Sequence, residues 1–494
     1  MRPTAPGIRR VGTLHRWTVT TGTAAFDGLI RTPYAWSARR KHSGCPPTAV
    51  AVRMRFVGER ARMNRVNNDA EPQPSTAMTD SPFLADRQLL ARAVDQVTAP
   101  AGTLTVADLP QQIPAAGLGP QAALDLIAQV CLPVQGALND PLAAGRMASP
   151  TPWVTWAAGA WAAARSENLL HQGVTPQAAD LQQLVMRWLL PLWGMSTGHM
   201  VPGATLANLT AVWAARDSAG AARIVASEAA NDSVAKVARV LAMPLTMLPV
   251  DSNEGLNVEA FVDFCRREPD SMSRSVVVLT AGTHNCGAVD PIRDCRRALA
   301  SLGITPAWWH VDAAWAGPLA LSERHSSVLK GIESADSVSV APYKFMFQPT
   351  DAAIVSFRDR ERVEEVLEFG GPDGTSQIGL LGSRADRALS LAVTFLAYGT
   401  EGVGAWIDQG IASMMSAAEA LRARPDVEVF GPPRTGILLW RPLNRNVNDV
   451  LAELGPMTAS LGLVDGRRWV RHLGTNPALD WHALVAQIDT VLAH

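Results

Sequence analysis

A chain of 494 residues with 47% hydrophobic and 18% charged side chains can bury a large core with a smaller companion, which excludes a low-complexity or fibrous protein. Basic charge is concentrated in residues 1–65, which hold 13 Lys and Arg against Asp27 and Glu59 and leave 31 basic against 43 acidic side chains downstream. A body that acidic excludes a nucleic-acid-binding core, which needs a basic face to neutralise phosphates, and points to small-molecule partners.

Residues 1–77 show no sustained period and end in a polar, proline-containing stretch. They are expected to be a disordered basic extension or to precede the true start at Met63 or Met78, with an Arg-rich targeting peptide as the rival reading. Residues 78–197 read as a helical segment. Leu84, Leu89, Leu90, Val94 and Val97 mark one apolar stripe, Leu181, Leu184, Val185, Trp188 and Leu189 another, and Trp153, Trp156 and Trp161 lie among alanines in a third. Aromatic stripes at this spacing suit a core or a subunit contact better than a cofactor box. The longest stretch free of charged residues, Trp188 to Ala215, is interrupted by Pro191, Gly194, Pro202 and Gly203. It lacks the roughly 20 consecutive apolar residues a bilayer span requires, and no membrane is expected.

Residues 198–402 alternate strand-like runs with helices, and strands are predicted over 223–226, 245–250, 275–280, 307–311, 337–340 and 352–357. This alternation predicts a mainly parallel sheet covered by helices, with ligands at the carboxyl ends of the strands. Residues 403–494 change character: a helix over 403–422, strands over 427–430 and 436–440, and helices over 447–454 and 483–492 predict a small α+β domain.

Chemistry-bearing residues gather at the predicted strand ends. Trp308 to Ala314 and Ser337 to Lys344 read as two strands that end in Asp312 and Lys344. Pyridoxal phosphate needs a lysine amine for its aldehyde and a carboxylate that keeps its ring nitrogen protonated, and Lys344 and Asp312 fit these two needs. Only four lysines occur, at 41, 236, 330 and 344, so few rivals exist. The turn at Gly203 runs into a helix whose first amides can hold a phosphate, and the same residues also suit an ordinary capped helix. Past the strand at 275–280, Ala281, Gly282, Thr283, His284 and Asn285 put further polar groups at a strand end, or form a plain glycine turn. His310 and Asp312 share one strand face, but no third ligand stands at a recognisable spacing; no metal is expected, and His310 is expected to pack behind the cofactor layer. Neither a G-x-G-x-x-G nor a Walker sequence is present, which counts against dinucleotide and nucleoside-triphosphate binding. The five cysteines, 45, 131, 265, 286 and 295, form no C-x-x-C pair and suit reduced thiols in a cytoplasmic protein.

Five segments in this order, 198–210, 279–283, 310–317, 331–337 and 382–384, resemble the group II pyridoxal-phosphate-dependent decarboxylases, the family of glutamate and aromatic amino-acid decarboxylases. The resemblance runs from about Ser81 to the C-terminus. It implies an α/β enzyme of fold type I, similar to aspartate aminotransferase, with a mainly parallel seven-stranded sheet in a large pyridoxal-phosphate-binding domain and a small C-terminal α+β domain. It also implies a homodimer with its site near the subunit boundary. On the same resemblance Lys344 carries the Schiff base, Asp312 pairs with the ring nitrogen and Ala314 lies against the ring. Ala204 and Thr205 contact the phosphate, Thr283 adds a cofactor contact, and Gly382 and Ser383 lend phosphate contacts to the neighbouring subunit.

The chain departs from the family at four positions. Asn231 stands where a histidine normally stacks over the ring, Tyr343 where a histidine usually precedes the lysine, His284 for a frequent second threonine, and Ala341 where many members are polar. The segment 358–377 corresponds to a mobile loop that in many members brings in a tyrosine, and here it is short and has none. Tyr343 is therefore expected to take over part of the proton transfer or stacking, which gives Lys344, Asp312, Tyr343 and Asn231 as the catalytic set. The activity implied is removal of the α-carboxylate of an amino acid as carbon dioxide. Oxidative deamination to an aldehyde, elimination, or a weakened paralogue acting as a binding subunit are the alternatives on this scaffold. Arg384 and Arg471 could each meet a substrate carboxylate, although an arginine in a motif such as 469–472 is more often structural.

Overall fold

The computed structural model describes residues 86–97, 104–132, 138–370 and 375–493. The expectations for residues 1–77 lie outside these. The larger sheet contains β1 (Thr197–Val201), β2 (Arg223–Ser227), β3 (Leu245–Leu248), β4 (Ser275–Thr280), β5 (Trp308–Asp312), β6 (Ser337–Val340) and β7 (Ala353–Phe357). Their order is β1-β7-β6-β5-β4-β2-β3, parallel throughout except for β7, which runs antiparallel to both its neighbours. The expected mainly parallel, seven-stranded α/β fold is thus present.

The central strands are near-continuous apolar runs because helices cover both sheet faces. Along β4 and β5, Val277, Leu279, Trp309 and Val311 enter one core, and Val276, Val278 and Trp308 enter the other. This alternation is the period of two that a pleated strand imposes. The second core lies under the helix Ala204–Ala219, which buries Ala207, Ala211, Val212, Ala214 and Ala215 against the sheet.

A short hairpin follows, β8 (Glu368–Gly370) with β9 (Ser376–Ile378). It corrects the reading of 358–377 as one loop: the helix Arg360–Leu367 occupies its first part, where Asp359 caps the N-terminus through its carboxylate. Beyond it, β10 (Val427–Phe430), β11 (Ile437–Pro442), β12 (Ser460–Val464) and β13 (Arg467–Leu473) form an antiparallel sheet in the order β10-β11-β13-β12, packed on the helices Val447–Leu454 and Trp481–Ala493.

The helical run Ala388–Arg422 ties the two sheets together. Leu391, Val403, Ile407 and Ile411 lie in the core of the large sheet, and Met414, Ala417 and Leu421 in that of the small one. It is long and apolar enough by composition to cross a bilayer, but Gly399 (φ 65, ψ −176) breaks its helical geometry. The sequence pattern marked only its second part.

Two further expectations change. Strand β1 was missed, since Thr197–Val201 reads locally as the lead-in to a glycine turn and becomes a strand only by pairing with β7. Of the three apolar stripes near the N-terminus only that on the helix Pro176–Leu189 enters the core, through Val185 and Leu189: the helix Arg87–Gln96 has no buried residue, and Trp153 and Trp161 on the helix Trp153–Arg165 are 67% and 55% exposed.

Candidate active site

Parallel pairing aligns the carboxyl ends of three central strands. Thr280 on β4 is in register with Asp312 on β5, and Asp312 with Ser339 on β6. Strand β6 ends at Val340, so Lys344 is not the end of a strand as the sequence suggested. Pro342 opens a one-turn helix, Pro342–Phe345, and this turn carries Tyr343 and Lys344. Proline suits that position because its ring presets the helical φ and no amide is needed there.

A cavity of about 350 Å³ sits above these ends. Lys344, Asp312, Ala314, Ala204, Thr205, Asn231 and Tyr343, all expected at the site, line it together. Lys344 and Asp312 thus open on one space. Met147, Gly203, Ser233, Thr280, Gly282, His284 and Trp315 complete the lining. Gly282, with φ +101, is required here: a Cβ would come within 2.6 Å of the Trp315 ring.

The Lys344 Nζ lies 6.0 Å from the Trp315 ring centroid and 5.9 Å from that of Tyr343. Burial pushes its ammonium below the ordinary lysine value, opposed by the Asp312 charge. A larger share of neutral, nucleophilic amine follows. Asp312 is buried and accepts hydrogen bonds from Asn208 Nδ2 at 2.7 Å and from the Ala314 amide at 3.1 Å. Burial, then the Asp312 charge, raises the Tyr343 phenol, which stays protonated at neutral pH. The cavity wall, then Arg471 and Lys344, push the His284 imidazole down to about 4, with Asp232 opposing.

Several expected contacts fall elsewhere. Thr283 does not line the cavity: its hydroxyl accepts the Ala288 amide at 3.1 Å and pairs with Cys286 Sγ at 3.4 Å, inside its own turn. Thr280 takes that place, and its buried hydroxyl finds no partner among the described residues. Asn231 caps the helix Asp232–Val240, its amide oxygen accepting the Ser233 N–H at 2.9 Å, which leaves its NH₂ for a ligand. Gly382 and Ser383 lie off this cavity, and Ser383 Oγ accepts from Asn168 Nδ2 at 3.2 Å. Arg384 donates to the carbonyls of Ser376 and Gly382, a structural role. Arg471 is buried and donates to the His284 carbonyl at 2.7 Å, bracing the turn that presents His284. Among the described residues no cluster of His, Cys, Asp or Glu suits a metal ion.

These residues fit a phosphorylated aldehyde. The helix Ala204–Ala219 starts at Gly203 (φ 78) with no side-chain cap, so its first amides are free to meet a phosphate, and a Cβ at Gly203 would meet nothing within 4 Å. Thr280 offers an unpartnered hydroxyl, Ala314 a small surface, Asp312 an anchored carboxylate and Lys344 an amine. Sheet order and site together are those of a pyridoxal-phosphate enzyme of fold type I. The pyridoxal-dependent decarboxylase conserved domain matches residues 138–440, and the chain belongs to that family.

The chain is 28% identical over 353 residues to L-2,4-diaminobutyrate decarboxylase of Rhizobium meliloti (strain 1021), covering 67% of this chain and 70% of that protein. It is 27% identical over 331 residues to aromatic-L-amino-acid decarboxylase of Bacillus atrophaeus, covering 62% and 64%. Its fold is similar to the crystal structure of Oryza sativa TDC with PLP and tryptamine, with a TM-score of 0.74, 19% identity and coverage of 84% and 99%. The chain is thus a pyridoxal-phosphate-dependent lyase that decarboxylates an amino acid. Pyridoxal phosphate, when bound, supplies the electron sink for the pair left on the substrate α-carbon as carbon dioxide departs.

Proposed function

We propose that the substrate is an α-amino acid with a short, polar side chain, and that the enzyme works as a homodimer. The observation that carries the reading is the convergence of Lys344 and Asp312 on one cavity of about 350 Å³. Cofactor and substrate must share this volume, and its polar wall of Asn231, Ser233, Thr280, His284 and Tyr343 favours a compact polar side chain over an indole. In this reading Lys344 would hold the cofactor through its aldehyde and Asp312 would keep its ring nitrogen protonated. The amides at Ala204 and Thr205 hold the phosphate, and Asn231 donates from its NH₂ to cofactor or substrate. Tyr343 delivers a proton to the α-carbon from its phenol, which makes no hydrogen bond among the described residues.

The dimer is supported by exposed tryptophans on the helix Trp153–Arg165, a surface unusual for a monomer, and by Gly382 and Ser383, which lie off this chain's own cavity and are free to serve a partner's. Cys131, Cys265, Cys286 and Cys295 form no disulfide, in keeping with a cytoplasmic protein. The helical run Ala388–Arg422 is read as a core helix rather than a membrane span, on the strength of its buried residues.

The test is titration with pyridoxal phosphate followed by an amino-acid panel scored for carbon dioxide and amine. Short polar substrates, 2,4-diaminobutyrate and aspartate among them, should exceed tryptophan in kcat/KM. Preference for tryptophan would overturn the substrate class, and aldehyde with hydrogen peroxide in place of amine would move the chain to the oxidative alternative. Sedimentation of the holoenzyme as a monomer would overturn the dimer.

A further inference from the structure

We propose that His310 is a positioning residue for the ring-nitrogen carboxylate: with Trp308 and Ser337 it fixes which way the Asn208 amide points, and so keeps an N–H on Asp312. The inference rests on the pyridoxal-phosphate reading and goes beyond it to three residues that do not line the cavity.

The chain of donors has one direction. An indole N–H can only donate, and Trp308 Nε1 donates to Ser337 Oγ at 2.8 Å. At the other end the Asp312 carboxylate can only accept, so Asn208 presents its NH₂ there and its oxygen to His310 Nε2, 3.1 Å away. His310 therefore carries its proton on Nε2 and donates it to Asn208 Oδ1, and its Nδ1 accepts from Ser337 Oγ at 2.9 Å. The same oxygen accepts from Ser339 Oγ at 2.5 Å, so Asn208 turns its NH₂ the other way, to Asp312 Oδ2 at 2.7 Å and Ser233 Oγ at 3.0 Å. Every polar atom along this path has a partner. The groups are buried, so each unmatched atom would carry its full desolvation penalty and no water is at hand to replace a lost partner.

The consequence reaches the cavity. A flipped Asn208 would set its oxygen against the Asp312 carboxylate, disfavour the anion, and weaken its hold on a protonated ring nitrogen. The effect is specific to that nitrogen.

The experiment measures equilibrium binding to the cofactor-free chain of two probes: pyridoxal phosphate, and its carbocyclic analogue with C–H in place of the ring nitrogen. His310→Leu should lower affinity for pyridoxal phosphate about tenfold, in line with a disturbed charge-assisted hydrogen bond, and leave affinity for the analogue within about threefold. His310→Gln, whose amide supplies an N–H near the Nε2 position, should restore binding of pyridoxal phosphate. Equal losses for both compounds, or no rescue by glutamine, would show that His310 only packs, and would overturn the inference. Retained binding of the analogue certifies that the variant is folded; should His310→Leu bind neither probe, Ser337→Ala is held to the same criterion. If the parent chain took up neither compound, the cofactor assignment would fall and this inference with it.

Discussion

Among the described residues, two buried tryptophan–histidine pairs use the same chemistry to different ends. In the large sheet, Trp308 donates to Ser337, which pairs with His310 Nδ1, while His310 donates from Nε2 to Asn208, and the path ends on Asp312 at the cavity. In the small sheet, Trp440 Nε1 donates directly to His472 Nε2 at 2.9 Å, so His472 donates from Nδ1 to the Thr458 carbonyl at 2.7 Å. The two imidazoles carry their protons on opposite nitrogens. What separates a functional network from a structural one is the final acceptor, a carboxylate that faces a ligand or a main-chain carbonyl that closes a sheet. Burial alone does not distinguish them, because both imidazoles are fully enclosed and pushed down to about 4 by it.

Activity should divide the two regions most sharply. Lys344→Ala is expected to lower kcat/KM by about four orders of magnitude and Asp312→Asn by about three, whereas His472→Leu should stay within about threefold of the parent, all read from carbon dioxide release. A comparable loss in His472→Leu would mean that the small sheet takes part in the chemistry. Next in size, Tyr343→Phe should lower kcat about ten- to a hundredfold, the range of general acid catalysis, with cofactor affinity unchanged. Turnover equal to the parent's would transfer the proton-delivery role to another lining residue, with His284→Ala as the variant to follow.

Stability should respond in the opposite sense. His472→Leu strands the Trp440 N–H and the Thr458 carbonyl, and should destabilise by about 2 kcal/mol in denaturant unfolding, with pyridoxal phosphate affinity unaltered. The smallest expected effect is the pH slope. The folded values of His310 and His472, about 4, and of His199, about 3, lie below the ordinary 6.5. Each therefore contributes stability that is fully present above pH 6.5 and is lost as pH falls toward the folded value. Below 6.5 the loss should be about 1.4 kcal/mol per pH unit for each histidine. Melting temperatures of the cofactor-free chain between pH 7 and 4.5 should fall accordingly, and His472→Leu should remove its own share. A flat profile would mean that these imidazoles already carry protons in the folded state.

Much of the site was legible because its residues sit where strands stop. Asp312 and Ala314 lie at the end of a run whose apolar character marks it as a central strand, the Gly203 turn showed as a glycine before a helix, and Lys344 was one of four lysines. Thr283 lies off the cavity for a definable reason. Period-two alternation orients Thr280 in register with Asp312, but it stops at the strand end, and past that point local hydrogen bonding within the 283–288 turn decides where a hydroxyl points. Asn208 drew no notice because nothing local marks it. Its partners stand at 233, 310, 312 and 339.

The amino-acid order alone determined the class of fold, the central strand runs of the large sheet, and the amine and carboxylate that the cofactor needs, because these follow from short-range periodicity and from residue type. Tertiary structure decided that Thr197–Val201 is a strand, that Lys344 rides on a helical turn begun by Pro342, and that an indole, a serine and an imidazole orient the amide on Asp312. Those outcomes depend on pairing and hydrogen bonding between residues far apart along the chain, and the geometry that makes them obligatory exists only once the sheet has formed.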